Sequence, residues 1–63
     1  MSTQAYIRGR RLDAAHRALL GAEPGTAKVS RIAPEFGFFE LGRFAVDYRK
    51  RFRESPSETL QRR

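Results

Sequence analysis

The residues best suited to chemistry lie on one segment, from about Glu40 to Phe52. If this segment is a helix that turns by about 100° per residue, its side chains separate into an apolar side and a polar side. On the polar side lie Gly42, Arg43, Val46, Asp47, Arg49, Lys50 and Arg53. Arginine binds phosphate oxygens through its fork of donors, and it donates two hydrogen bonds to guanine in the same way. The pattern therefore predicts a helix that contacts nucleic acid.

Base contacts are expected from the first turns of such a helix, where a recognition helix meets base edges. We assign Gly42, Arg43, Val46 and Asp47 to this role. Arg43 is a candidate for guanine, with a phosphate contact as the alternative, and Val46 is a candidate for a thymine methyl group. Gly42 allows a close approach to DNA. Asp47 either accepts from cytosine or orients Arg43, which lies four residues earlier on the same face.

Phosphate contacts are expected farther along this helix and at the start of an earlier one. The candidates are Lys28, Ser30, Arg31, Arg49, Lys50 and Arg53. The first three lie where a helix N-terminus also attracts anions. Arg8, Arg10 and Arg11 are explained equally well by phosphate contacts and by simple solvation.

The composition supports a polyanionic partner. The 63 residues include 13 Lys and Arg against 7 Asp and Glu, a formal charge of +6. Such an excess attracts nucleic acid or an anionic membrane surface. A membrane-active peptide is the weaker alternative, because the apolar faces are better explained by packing on one another, and no segment approaches the roughly 20 apolar residues of a membrane span. The first residues show no signal-peptide pattern.

The same sequence gives no support for an enzyme. It contains no cysteine and a single histidine, His16, so neither thiolate nor histidine metal sites are expected. It also lacks a nucleophile–base pair, a phosphate-binding loop and a paired-carboxylate site. We therefore predict no catalysis, no metal, no cofactor and no small-molecule effector site, and we assign His16 to the ordinary surface. The absence of cysteine fits a cytoplasmic location.

Three helices and a short fourth are predicted to position these side chains. The first begins at a Ser2 or Thr3 cap and runs to about Leu20, with Gly21 as a left-handed C-cap. Its apolar stripe consists of Tyr6, Leu12, Ala15, Leu19 and Leu20.

The second helix is predicted over about Val29 to Phe36, with an apolar residue at each position of one face. Pro34 is expected to distort it locally, because proline lacks an N–H and its ring crowds the preceding turn. Gly37 ends the helix and supplies a turn conformation that residues with a Cβ adopt poorly. Phe36 and Phe38 are expected to hold this turn against the core.

The third helix, from about Glu40 to Phe52, is predicted to have a weak N-cap, since neither Phe39 nor Glu40 is a favoured capping residue. Its apolar side consists of Leu41, Phe44, Ala45, Tyr48 and Phe52.

A short fourth helix is predicted after Ser55, which can cap it. Pro56 then occupies the first helical position and Glu58 closes a capping box. Arg62 and Arg63 are expected to fray at the end of the chain.

A short apolar helix, a tight turn and a longer basic helix form a helix-turn-helix arrangement. Several spaced positions are similar to the C-terminal signature of the AraC/XylS family. They run Ile32-Ala33-x-x-x-Gly37-Phe38, then Gly42-Arg43-Phe44-x-x-x-Tyr48-Arg49-x-x-Phe52, then Glu54-Ser55-Pro56-Ser57. The stretch Tyr6-Ile7-Arg8-x-x-Arg11-Leu12-x-x-Ala15 resembles the linker helix of that family. The resemblance covers nearly the whole chain.

This resemblance implies an all-α fold, with a linker helix at 1–21 and a helix-turn-helix with a C-terminal turn at 27–63. Together they are the homeodomain-like half of a tandem helix-turn-helix domain, and Met1 is interpreted as an internal methionine because the first unit of the pair is missing. The implied function is sequence-specific binding of double-stranded DNA in transcription regulation at the nucleoid, with RNA polymerase as a further candidate partner. The alternative is a truncated remnant with weak, non-specific DNA binding or a protein-interaction role.

Overall fold

The computed structural model describes residues 2–62, which fold into four helices. Helix α1 spans Thr3–Gly21, α2 spans Val29–Glu35, α3 spans Leu41–Phe52 and α4 spans Pro56–Gln61. No strand occurs within residues 2–62, so the predicted all-α class is confirmed. None of the helices in this range is both long and apolar enough to cross a bilayer. The expectations for Met1 and Arg63 concern residues outside the described range.

The first helix begins as predicted and ends differently. The Ser2 hydroxyl accepts from the backbone N–H of Ala5 at 3.1 Å and caps α1. At the other end, Ala22 is extended, with φ −85° and ψ 154°, and its N–H donates to the carbonyl of Leu19. The predicted left-handed cap at Gly21 is wrong. The helix ends instead with the hydrogen bond from Ala22 to the carbonyl three residues earlier, which needs no residue with a positive φ.

The turn after α2 depends on Gly37. The N–H groups of Phe36 and Gly37 donate to the carbonyls of Ala33 and Pro34, each at 3.0 Å, and Phe38 then donates to Ala33 at 3.1 Å. Gly37 has a φ of 88°, a conformation that costs little only for a residue without a Cβ. The predicted role of Gly37 is therefore confirmed. After this turn the chain continues into α3.

Helix α3 is better capped than its sequence indicates. The Glu40 carboxylate accepts from the N–H of Gly42 at 3.3 Å and from that of Arg43 at 2.7 Å. The predicted weak cap is therefore wrong, because the longer glutamate side chain folds back onto the donors that a serine usually satisfies. Leu41, which the helical spacing assigned to the apolar side, lies 38% exposed in this first turn.

Helix α4 follows its prediction. The Ser55 hydroxyl accepts from the N–H of Glu58 at 3.1 Å, and the Glu58 carboxylate accepts from the N–H of Ser55 at 2.8 Å. Arg62 follows the last residue of α4, and its guanidinium donates to Glu54 at 3.0 Å.

The core lies where α1 packs on α2 and α4, and α3 closes it with its apolar side. The prediction that Tyr6 and Leu20 share the apolar stripe of α1 is wrong, since they are 57% and 50% exposed. At about 100° per residue, Leu20 is a quarter-turn from Leu19, and Tyr6 is a third of a turn from Leu12. The buried apolar residues are Leu12, Ala15, Leu19, Ala33, Phe38, Phe44, Tyr48 and Leu60.

Candidate nucleic-acid interface

The inner side of α3 is fixed by aromatic packing. The ring of Phe44 lies 4.7 Å from that of Phe38 and 5.5 Å from that of Tyr48, measured between centroids. Phe44 and Tyr48 are essentially inaccessible to solvent. Because two consecutive turns of α3 are anchored in this way, the opposite side of the helix is held toward solvent.

Three of the four predicted base-contacting residues lie exposed on that outer side: Gly42, Arg43 and Val46. The Arg43 side chain is 72% exposed, and Val46 is 50% exposed. A Cβ at position 42 would lie 3.4 Å from the Glu40 carboxylate, an ordinary van der Waals contact. The N-terminal half of α3 therefore presents a small, a long cationic and a short apolar side chain next to one another.

Asp47 is placed differently from the other three. Its side chain is only 19% exposed, and its Oδ2 accepts from Nε of Arg8 at 2.9 Å and from Nη2 of Arg8 at 2.5 Å. The same oxygen lies 3.5 Å from Nε of Arg43. Asp47 is thus engaged between α1 and α3, and its closest partner is Arg8.

The predicted phosphate contacts of α3 cluster together. Val46, Arg49, Lys50 and Arg53 line one shallow surface depression of about 530 Å³. Arg49 is 3.8 Å from Glu58 across the start of α4. Arg53 ends α3 with a φ of 64°, a left-handed conformation that is uncommon for a residue with a Cβ. The cluster gives the C-terminal half of α3 a basic surface.

The other three phosphate candidates belong to a different element. Lys28 is the N-cap residue of α2 and makes no side-chain capping bond. Ser30 and Arg31 follow in the first turn, and all three are exposed or partly exposed. These residues form a second polar surface with two cations, at the start of the helix that precedes the turn.

Sequence reasoning missed a second ion pair between α1 and α3. Arg51 donates to Asp13 through Nε at 2.8 Å and through Nη2 at 3.1 Å. This hydrogen bond lowers the pKa of Asp13 and raises that of Arg51. The guanidinium covers Gly9, where a Cβ would come within 3.1 Å of Nη1. No signal in one sequence links residues 38 positions apart, so the pair was not predictable.

The assignment of His16 to the ordinary surface is wrong. Its imidazole stacks on Phe52 with ring centroids 4.2 Å apart, and its Nδ1 lies 2.7 Å from the Tyr48 hydroxyl. Tyr48 in turn donates to Thr59 at 2.8 Å, and Thr59 hydrogen-bonds to Glu54. Burial raises the pKa of Tyr48. His16 is therefore part of a polar network that joins α1, α3 and α4.

Within residues 2–62, no three His, Asp or Glu side chains lie together in a group that could hold a metal ion. What the fold does present is a buttressed helix with a basic outer side, preceded by a glycine turn and a short helix. This arrangement defines a helix-turn-helix domain.

Comparison with known proteins agrees with the geometry. A family described as helix-turn-helix domain matches residues 1–62. The chain is 43% identical over 58 residues to XylDLEGF operon transcriptional activator 1 of Pseudomonas putida, an alignment that covers 92% of this chain and 18% of that protein. It is 40% identical over 55 residues to XylDLEGF operon transcriptional activator 2 of the same organism, covering 87% of this chain and 35% of the relative.

A relative from Rhodococcus erythropolis, the probable thc operon regulatory protein, is 43% identical over 51 residues, or 81% of this chain and 15% of that protein. No solved structure matches. The chain belongs to the AraC/XylS-type helix-turn-helix family, whose members are DNA-binding regulators of transcription. It spans about a fifth of the length of the first relative named above.

Proposed function

We propose that this chain binds double-stranded DNA in a sequence-specific manner, with the segment from about Glu40 to Phe52 in the major groove, and so regulates transcription. In this proposal residues 1–21 are the linker helix, and residues 27–63 are the helix-turn-helix with its C-terminal turn. The observation that carries the proposal is the two-sided character of α3. Its inner side is anchored in the core by Phe44 and Tyr48, while its outer side exposes a basic surface.

Base readout is assigned to the N-terminal half of α3. Arg43 has the exposure and the donor fork needed to reach O6 and N7 of guanine. Val46 is placed one turn along to contact a thymine methyl group, and Gly42 leaves room for the DNA backbone or bases. Asp47 contributes by orienting Arg43 through a single long contact of 3.5 Å, which leaves the guanidinium free to move.

Phosphate contacts are assigned to two positions that flank the readout surface. The C-terminal half of α3 supplies Arg49 and Lys50, and its C-cap residue is Arg53; the three line one depression. The start of α2 supplies Lys28, Ser30 and Arg31. Such contacts carry little sequence information but set the register of the protein on DNA.

The wider setting is also a proposal. Relatives are named as operon transcriptional activators, which supports RNA polymerase as a second partner and a cytoplasmic location at the nucleoid. We propose no catalysis and no small-molecule effector site for this chain. A single recognition helix reads only a few base pairs, so the chain on its own should prefer its site only modestly. Its non-specific binding to other DNA should have a dissociation constant of about 10⁻⁴ to 10⁻⁶ M.

The test is a titration of the 63-residue chain against a random duplex pool at several salt concentrations, with the bound fraction sequenced. We expect affinity to fall steeply with salt, because phosphate contacts release counterions, and a short motif to be weakly enriched. Binding without enrichment of any motif would favour the alternative, a remnant with only non-specific binding. Absence of binding even at low salt would contradict the proposal. A nanomolar, strongly enriched site would indicate that two chains act together.

A further inference from the structure

Arg8 lies at a crossing point between the linker helix and the helix-turn-helix. Its guanidinium carbon is 5.3 Å from the ring centroid of Phe38, the residue that directly follows the Gly37 turn. The same group donates twice to Asp47 in the middle of α3. One side chain of α1 therefore touches both the turn and the recognition helix.

Arg8 and Arg43 share one carboxylate oxygen unequally. Arg8 makes two hydrogen bonds to Oδ2 of Asp47, at 2.9 and 2.5 Å. Arg43 approaches the same oxygen only to 3.5 Å and remains 72% exposed. Two donors of a planar guanidinium fix its geometry more firmly than a single long contact. Asp47 is therefore held mainly by Arg8.

The groove between α1 and α3 contains other charges that bear on this competition. Its lining includes the four cations Arg8, Arg43, Lys50 and Arg51, and the carboxylate of Asp47. Arg51 is engaged by Asp13 at 2.8 Å. If Arg8 were removed, Asp47 would be free to pair with Arg43. This arginine is already in contact with Asp47 and lies four residues earlier on the same helix face.

We propose that Arg8 is a positioning residue for base readout: by holding Asp47, it leaves the Arg43 guanidinium free to extend to a base edge. This inference rests on the proposed function of α3. Without Arg8, Asp47 draws Arg43 back along the helix surface, and the arginine must break this pair before it reads DNA. An exposed i, i+4 pair shifts the equilibrium between paired and free arginine by about twofold. We therefore expect the loss of Arg8 to change the base preference by about the same factor.

The first test needs no DNA. Arginine Nε–H resonances in the nuclear magnetic resonance spectrum report whether Arg43 gains a hydrogen-bond partner. In Arg8→Ala the Nε–H resonance of Arg43 should shift, and the Nε–H proton should exchange more slowly with water. Arg8→Lys should behave similarly, because lysine lacks the two-donor fork. Arg10→Ala removes the same charge from the same helix and should leave the Arg43 resonance in place. An unchanged Arg43 resonance in Arg8→Ala would overturn the proposal.

The second test measures base preference in the sequenced duplex pool. The position that Arg43 reads is identified by comparing the wild type with Arg43→Ala. Arg8→Ala should lower the preference there about twofold. Asp47→Ala removes both the loose orienting contact and the competing pair, so it should lower the preference less than Arg8→Ala, and the double variant should match Asp47→Ala alone. If the double variant stays as low as Arg8→Ala, Arg8 acts through the fold and the proposal is wrong. A wild type with no Arg43-dependent preference contradicts the proposed function instead, and the resonance experiment then decides whether Arg8 holds Asp47.

Discussion

The hydroxyl of Tyr48 on α3 donates a 2.8 Å hydrogen bond to the hydroxyl of Thr59 on α4, and both residues are fully buried. The same phenol oxygen lies 2.7 Å from Nδ1 of His16 on α1. A phenol has one hydrogen to donate, and Thr59 receives it, so the imidazole nitrogen is the donor to Tyr48. A single hydroxyl group therefore joins three of the four helices.

Tyr48→Phe should lower the free energy of unfolding by about 1–3 kcal/mol, because His16 and Thr59 each lose a buried partner. For a domain of this size each kcal/mol corresponds to about 4–8 °C in the thermal midpoint, which circular dichroism measures. The matched control is Tyr6→Phe, which removes an exposed hydroxyl that accepts from Arg10 at 3.2 Å and should leave the midpoint nearly unchanged. Equal midpoints for the two variants would show that the network contributes little.

Phe44→Ala should abolish cooperative unfolding. Truncating a buried phenylalanine costs about 3–5 kcal/mol, which is comparable with the whole stability of a small domain. Phe39→Ala makes the same chemical change at a residue that is 80% exposed, so its melting curve should match that of the wild type. A cooperative transition retained in Phe44→Ala would mean that the inner side of α3 is assigned incorrectly.

Gly37→Ala should destabilise the protein by about 1–2 kcal/mol, since a Cβ is disfavoured in the left-handed region. The φ of Gly37 is 88°, and an added Cβ would also meet the Arg11 guanidinium at 3.4 Å. Gly21→Ala is the control, because Gly21 lies in α1 and a Cβ added there would meet nothing within 4 Å. There alanine should raise stability by up to about 1 kcal/mol through its helix propensity. Opposite shifts of the urea midpoint are the expected result.

Arg43→Ala and Arg53→Ala should affect DNA binding in different ways. Loss of a base-reading arginine relaxes the preference at one base pair, whereas loss of a phosphate contact weakens all sequences alike and flattens the salt dependence. Both effects are read from titrations of the duplex pool at several salt concentrations. A uniform loss in both variants would make Arg43 a phosphate contact.

Asp13 should contribute to stability in a pH-dependent way. The hydrogen bond from Arg51 lowers the pKa of Asp13 below its ordinary value of 3.8. A carboxyl group with a lowered pKa in the folded state stabilises the fold above its ordinary pKa and loses this contribution as the pH falls through the lowered value. Because both side chains are partly exposed, the contribution should be less than about 1 kcal/mol.

Asp13→Asn should therefore make the loss of stability below about pH 4 shallower, measured by urea unfolding at successive pH values. Arg51→Ala should have the same effect on the acid side, and the double variant should add nothing further. Part of the acid dependence should persist in all three, since the Ser55 backbone N–H lowers the pKa of Glu58 as well. A single variant with an unchanged acid profile would show that the ion pair does not form in solution.

Much of the fold was predictable because its signals are local. The capping box of Ser55 and Glu58, the turn at Gly37 and the apolar spacing of Phe44 and Tyr48 each depend on residues within a few positions of one another. At these residues the local backbone geometry decides which structure forms. The observed structure confirms the three predictions. The predictions that failed locally, at Gly21 and Glu40, concern helix ends, where several ways of satisfying the same N–H and C=O groups compete.

What the sequence determined by itself is therefore the class of the fold, the family and the face of α3 that carries the basic residues. The tertiary structure alone decided which polar and charged side chains meet: Arg8 with Asp47, Arg51 with Asp13, and His16 with Tyr48. These partners are separated by more than thirty positions, and their contact depends on where α1 crosses α3. Side-chain spacing along one helix carries no information about that crossing, because it is set by how the apolar faces of all four helices pack together.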